Sequence, residues 1–72
     1  MTYTLYIAEN CHQCAEVVNF MNDNKISYNS INVDLTNQQP PFKLFAFPAL
    51  FNDETLLCYG TDIKSFLSEK VN

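Results

Sequence analysis

The chain has 72 residues, 47% of them hydrophobic and 14% aromatic, and its four lysines, no arginine and eight acidic residues give a net charge of −4. This composition excludes intrinsic disorder, which is typical of chains poor in apolar residues. The acidic balance argues against nucleic acid and anionic membrane surfaces as partners. No apolar run approaches the roughly 18 residues of a membrane span, and the N-terminal residues predict no signal peptide. We expect a single domain over residues 1–72.

The first half of the chain predicts a β-α-β unit. Residues 3–8 alternate in polarity and predict a strand. The motif Cys11-His12-Gln13-Cys14 then opens a helix that ends at residues 22–24. Residues 28–34 predict a second strand, parallel to the first. Helical spacing predicts that one buried stripe of the helix consists of Cys14, Val17, Val18 and Met21. Strand alternation predicts that one face of the second strand carries Ile31, Val33 and Leu35.

The second half predicts a β-hairpin and a final helix. Prolines 40 and 41 leave room for a short helix over Phe42–Ala46. Residues 47–51 predict a strand, Asn52-Asp53 a two-residue turn, and Thr55–Tyr59 the returning strand of a hairpin over 48–59. Gly60 ends this strand, and Thr61 or Asp62 caps a helix whose apolar positions are Ile63, Phe66, Leu67 and Lys70/Val71. The resulting order is β-α-β-(short α)-β-β-α, with a four-stranded mixed sheet flanked by helices.

The cysteine motif predicts thiol chemistry. A secreted mini-protein pairs an even number of cysteines, but this chain has three, which favours redox or metal chemistry in the cytoplasm. A thiolate at a helix N-terminus is stabilised by unsatisfied N–H groups, so its pKa falls from about 8.5 to roughly 3.5–7.5. We therefore expect Cys11 to be the nucleophile and Cys14, on the buried stripe, to be the resolving thiol.

Other interpretations of these residues stay open. The pair could be two ordinary cysteines, or part of a zinc site, although zinc prefers four ligands and only Cys11, Cys14, His12 and Cys58 are candidates. Protonated His12 would favour the Cys11 thiolate, or His12 is exposed and has no role. Glu9 and Glu16 would oppose the thiolate if they lie close.

Two further features have both a structural and a functional interpretation. Cys58 is either a core residue or the source of a regulatory or intermolecular disulfide. Three aromatic residues form either a rim around the site or part of the core: Tyr6, Phe47 and Tyr59.

These segments together resemble the glutaredoxin family of the thioredoxin fold, over essentially the whole chain. The resemblance rests on a strand ending before Cys11-x-x-Cys14, on the Ile-Asn-Val-Asp of residues 31–34, on Phe47-Pro48 opening a hairpin, and on Gly60-Thr61-Asp62 before the last helix. It implies an α/β thioredoxin-like (glutaredoxin-like) fold in which the two cysteines are the redox pair. It also implies that Pro48 is a cis-proline lying against them, which leaves the Phe47 backbone free to pair with an extended substrate.

The sequence departs from the family pattern at three places. His12-Gln13 stands where glutaredoxins usually have Pro-Tyr, and Ala8-Glu9-Asn10 lacks the basic residue that holds a carboxylate of glutathione. Only thirteen residues separate Asp34 from Pro48, so the second family helix is shortened. Thr61-Asp62, at a helix N-terminus, is nevertheless suited to the α-carboxylate and amine of glutathione.

The sequence thus predicts a thiol–disulfide oxidoreductase, a dithiol carrier that reduces protein disulfides and uses no metal. The alternatives are a glutathione-dependent glutaredoxin acting on mixed disulfides and a non-catalytic module that binds a metal or thiols. Gln13 and residues 31–34 look most like the redoxins that serve ribonucleotide reductase, which makes that enzyme a candidate substrate. We expect a cytoplasmic monomer with no cofactor besides its disulfide, recharged by a thioredoxin-reductase-type flavoenzyme or by glutathione. The expected catalytic residues are Cys11 and Cys14, and the expected substrate-binding residues are His12, Gln13, Phe47, Pro48, Thr61 and Asp62.

Overall fold

The computed structural model describes residues 3–36 and 46–71. The strands form one mixed sheet in the order β2-β1-β3-β4, in which β1 pairs parallel with β2 and antiparallel with β3, and β3 pairs antiparallel with β4. This is the predicted four-stranded sheet. None of the described helices is long and apolar enough to cross a bilayer. In chain order the elements are β1 (Tyr3–Ile7), α1 (His12–Asp23), β2 (Asn29–Asn32), α2 (Val33–Thr36), β3 (Ala49–Asn52), β4 (Thr55–Tyr59) and α3 (Asp62–Val71).

The main core lies where α1 and α3 pack against one face of the sheet. Leu5 and Leu50 from the two central strands are fully buried there. The helices contribute Val17, Met21, Ile63 and Leu67 to the same cluster. The predicted stripe of α1 is confirmed for Cys14, Val17 and Met21, while Val18 is only half-buried. In α3 the predicted positions Ile63 and Leu67 are buried, Phe66 is half-buried, and the side chains of 70 and 71 lie outside the described part.

A second apolar cluster lies on the opposite face of the sheet. Tyr6, Ala49 and Phe51 are buried there, and the Tyr6 and Phe51 rings meet edge to face with centroids 5.2 Å apart. Phe47 and Tyr59 pack against this cluster. Of the three aromatic residues, Tyr6 therefore belongs to the core of this face, whereas Phe47 and Tyr59 are half-buried and pack against it.

The second strand is shorter than predicted. The side-chain oxygen of Asn32 accepts hydrogen bonds from the backbone N–H groups of Asp34 (3.0 Å) and Leu35 (3.2 Å). An asparagine cap of this kind ends the strand and starts a helix, so residues 33 and 34 belong to α2. The prediction that Leu35 shares a face with Ile31 was wrong, because the Leu35 side chain is 71% exposed. The predicted short helix Phe42–Ala46 falls, except for its last residue, outside the described residues.

The hairpin differs from the prediction in its turn and its register. Asn52 belongs to β3 and pairs with Thr55, so the turn is Asp53-Glu54, with Asp53 in the left-handed region at φ 56. Leu50 pairs with Cys58 and Phe51 with Leu56, which leaves Leu57 as a β-bulge. Leu57 and Cys58 consequently both pack toward the helices, and Leu56 packs on the opposite cluster. Strict strand alternation would put Leu56 and Cys58 on one face, and the bulge instead places them on opposite faces.

Candidate active site

Cys11 occupies the N-cap position of α1. The chain leaves β1, passes Asn10 with a positive φ of 54, and enters the helix with Cys11 in an extended conformation. The Cys11 Sγ accepts the backbone N–H of Cys14 at 3.1 Å. The sulfur thus takes the place of the Ser, Thr or Asp oxygen that usually caps a helix, where negative charge is favoured.

Cys11 and Cys14 are joined by a disulfide, with their Cα atoms 5.2 Å apart. The two sulfurs differ in accessibility, because Cys11 is half-buried whereas Cys14 is only 4% exposed and belongs to the buried stripe of α1. An incoming group therefore has freer access to the sulfur of Cys11.

The start of β3 lies directly against this disulfide. The Phe47–Pro48 peptide bond is cis, as the resemblance implied. The Phe47 carbonyl oxygen lies 3.8 Å from the Cys11 Sγ, and the Pro48 carbonyl accepts the N–H of Gly60 at 2.8 Å. The structure therefore brings the backbone of the predicted Phe47 to the redox pair, with the cis Pro48 directly after it.

Gln13 lies over the end of β4. Gly60 adopts a positive φ of 57, and a Cβ built there would come within 3.1 Å of Gln13 Oε1. The absence of a side chain at Gly60 thus leaves room for the Gln13 side chain. Sequence reasoning interpreted Gly60 only as a strand terminator.

The remaining predicted substrate residues are exposed at the surface. His12 is 89% exposed and its Nε2 lies 3.5 Å from Glu16 Oε1, so it faces along the outside of α1. Thr61 and Asp62 are exposed at the start of α3. The carboxylate of Asp62 acts electrostatically on the thiol of Cys58.

A cleft of about 320 Å³ opens on the other side of the disulfide, between α1 and the end of β2. Cys11, Cys14, Glu9 and Asn32 are among its lining residues. The backbone N–H of Glu9 donates to Asp34 Oδ2 at 2.9 Å. Sequence reasoning missed Asn32 and Asp34, although Asn32 ends and Asp34 follows a strand parallel to β1, and such strands bring their carboxyl ends to one edge of a sheet.

Cys58 is a free cysteine on the inner face of β4. Burial, followed by the negative charge of Asp62, raises the pKa of its thiol from 9.0 to about 11. Its thiolate is therefore scarce near neutral pH, where the thiolate is the reactive form.

We expect Cys58 to resist alkylation at pH 8 in the folded protein, and Cys58→Ala to retain disulfide reduction. The raised pKa also predicts a pH effect, because above about pH 9 the unfolded thiol ionises while the folded one stays protonated until about pH 11. The free energy of unfolding of the native protein should then fall across this window more than that of Cys58→Ala. Urea denaturation of both proteins at several pH values measures the difference, and parallel curves would contradict the shift.

Within residues 3–36 and 46–71, no group of three or more His, Cys, Asp or Glu side chains is placed to hold a metal ion.

Comparison with solved structures places this geometry in a known fold. A mutant of the thioredoxin-like protein BC3987 superimposes with a TM-score of 0.75 at 20% identity, covering 97% of this chain and 99% of that chain. The chain has a thioredoxin-like fold. Glutaredoxin 1 from Francisella tularensis, in complex with cacodylate, matches this thioredoxin-like fold with a TM-score of 0.68 at 13% identity, over 97% of this chain and 94% of that chain. No sequence profile of a known family and no curated protein matches the sequence.

Proposed function

We propose that this protein is a dithiol thiol–disulfide oxidoreductase that reduces disulfides in other proteins. The observation that carries the proposal is the asymmetry of the cysteine pair. Cys11 Sγ caps α1 and accepts the Cys14 N–H at 3.1 Å, while Cys14 lies 4% exposed beneath it. One sulfur is thus placed to attack and the other to resolve.

The reaction proceeds in two exchange steps. In the reduced protein the Cys11 thiolate attacks one sulfur of the substrate disulfide, breaks that bond and releases the other substrate sulfur as a thiolate. The Cys14 thiolate then attacks Cys11 Sγ, forms the Cys11–Cys14 disulfide and releases the second substrate thiolate. Two electrons pass to the substrate and both released thiolates take up protons, so a reductant must recharge the protein.

The peptide groups beside Cys11 support an extended protein segment as the substrate. Phe47 lies next to the attacking sulfur, with its carbonyl oxygen 3.8 Å away. A strand-like segment of the substrate pairing with this backbone would hold its disulfide at Cys11. The resemblance of Gln13 and residues 31–34 to the redoxins of ribonucleotide reductase supports that cytoplasmic enzyme as one such substrate.

The simplest test is stoichiometric. The fully reduced protein, mixed without oxygen with a disulfide-containing protein such as insulin, should lose two thiols for each substrate disulfide that it reduces. Mass spectrometry after alkylation under denaturing conditions should find Cys58 alkylated and Cys11 joined to Cys14. A reduced protein whose thiols survive undiminished would overturn the proposal.

A further inference from the structure

The cleft beside the disulfide lies on the side of Cys11 away from the cis-proline. Asn32, at the end of β2, forms part of its lining, whereas Phe47 and Pro48 precede β3. Because β1 separates β2 from β3 in the sheet, the two regions flank the redox pair. A segment held by the Phe47 backbone would therefore carry neighbouring side chains toward the cleft.

The size of the cleft favours a side chain over a whole small molecule. About 320 Å³ is at the lower end of the volumes of small-molecule sites, roughly 300–1,000 Å³. Ala15 and Val18 of α1 provide apolar surface, and Asn10 and Asn19 provide side-chain amides. A long aliphatic side chain with a polar end matches this lining.

The charge of the cleft determines which polar end it accepts. Among its described lining residues Glu9 is the one charged side chain. Asn32 Nδ2 donates to Glu9 Oε2 at 3.5 Å, and the same Asn32 caps α2, so the carboxylate is held by a residue that is itself fixed. Asp34 adds a second carboxylate, bonded to the Glu9 backbone. Neither acid has an ion-pair partner among the residues described.

We propose that this cleft selects protein disulfides in which a lysine or arginine is the neighbour of the attacked cysteine. The cationic side chain lies along Ala15 and Val18 and places its charge at Glu9. This inference rests on the proposed function and adds the substrate class. Glu9 is then a specificity-determining residue and takes no part in the exchange chemistry.

The test uses three blocked dipeptide disulfides that differ only beside the cysteine, namely Cys-Lys, Cys-Gln and Cys-Glu. The second-order rate constant of the reduced protein is measured with each peptide disulfide. The rate constants of the same disulfides with a small uncharged thiol give their relative reactivities in the absence of the protein. We expect the protein to react faster with the Lys peptide than these relative reactivities account for. Glu9→Gln should lower the Lys-to-Glu rate ratio about two- to fivefold at low salt.

Two controls separate a local effect from others. Glu54→Gln removes the same charge at the hairpin turn, at the far end of β3 from Pro48, and should leave the ratio unchanged. Any effect of Glu9→Gln on the Cys11 thiolate multiplies all three rates equally and cancels in the ratio. Glu9 is exposed, and its backbone bond to Asp34 survives the substitution, so the variant should fold.

Each outcome has one meaning. If the Lys-to-Glu rate ratio were the same in Glu9→Gln as in the native protein, or fell as much in Glu54→Gln as in Glu9→Gln, the proposed selectivity would be wrong. The proposed redox function would be unaffected by either result. A ratio that persists at about 1 M salt, where the Debye length is about 3 Å, would overturn its electrostatic origin. Reaction with none of the three peptides would instead overturn the proposed function.

Discussion

Cys11→Ser should abolish reduction of protein disulfides, whereas Cys14→Ser should leave the substrate covalently trapped on Cys11. The first variant lacks the accessible attacking sulfur, and serine cannot replace it because the thiolate is the nucleophile in exchange. The second can attack but cannot resolve, since the buried second sulfur is missing. Turnover of an insulin-type substrate measures the loss, and non-reducing mass spectrometry detects the trapped adduct.

Both variants are best made in a Cys58→Ala background, so that the third thiol cannot resolve the adduct. The parent Cys58→Ala is then the matched control and should turn over normally. If limited alkylation of the reduced parent labelled Cys14 before Cys11, the assigned roles would be reversed.

Glutathione should recharge the protein poorly, about ten- to hundredfold less efficiently than a glutaredoxin that has a basic residue before its first cysteine. Glutathione carries two carboxylates and one amine and must dock beside Cys11, where this chain has Glu9 in the adjoining cleft. Like charges at roughly 5–8 Å across a wet surface cost on the order of 0.5–1 kcal/mol each. The chain also lacks the basic residue that would hold a carboxylate of glutathione, which is a loss of similar free energy. About 1.4 kcal/mol of free energy corresponds to a factor of ten in the equilibrium or rate constant.

The measurement compares reduction of the Cys11–Cys14 disulfide by glutathione and by a thioredoxin-reductase-type flavoenzyme with its nicotinamide reductant. Glu9→Lys should raise the glutathione rate, most at low salt, while Glu54→Lys makes the same change of charge far from the site. Glu16 contributes less than its position in the sequence suggests, because it lies beside the exposed His12. Fast glutathione turnover that neither Glu9→Lys nor salt alters would favour a glutathione-dependent glutaredoxin.

The elements near the redox pair could be predicted because their signals are local. A strand ending before a C-x-x-C motif, with Val17 and Met21 continuing its helical spacing, specifies both the helix and the cysteine at its cap. The end of β4 and the start of α3 follow similarly from Gly60. The different surroundings of the two sulfurs followed from the position of Cys11 at the cap and of Cys14 on the buried stripe.

Apolar alternation by itself misplaced residues whose surroundings come from elsewhere in the chain. Leu35 continues the pattern of Ile31 and Val33, yet the Asn32 side chain ends the strand and leaves Leu35 exposed. Leu57 interrupts the pairing of β3 with β4 as a bulge, which places Cys58 toward the helices. The periodicity of apolar residues cannot predict either feature. The end of β2 depends on a side-chain cap, and the bulge in β4 depends on the register between two strands.

The sequence by itself determined the order of the elements, the helix carrying the cysteine pair and the asymmetry between its sulfurs, because these depend on neighbours within a few residues. Only the tertiary structure decided what surrounds the pair. Phe47 contacts Cys11, and Gln13 lies beside Gly60, although long intervals of sequence separate the members of each pair. Asn32 donates a hydrogen bond to Glu9 where two parallel strands end. Such contacts are set by strand register and packing, which act between segments that are distant in the chain and leave no periodic signal in either of them.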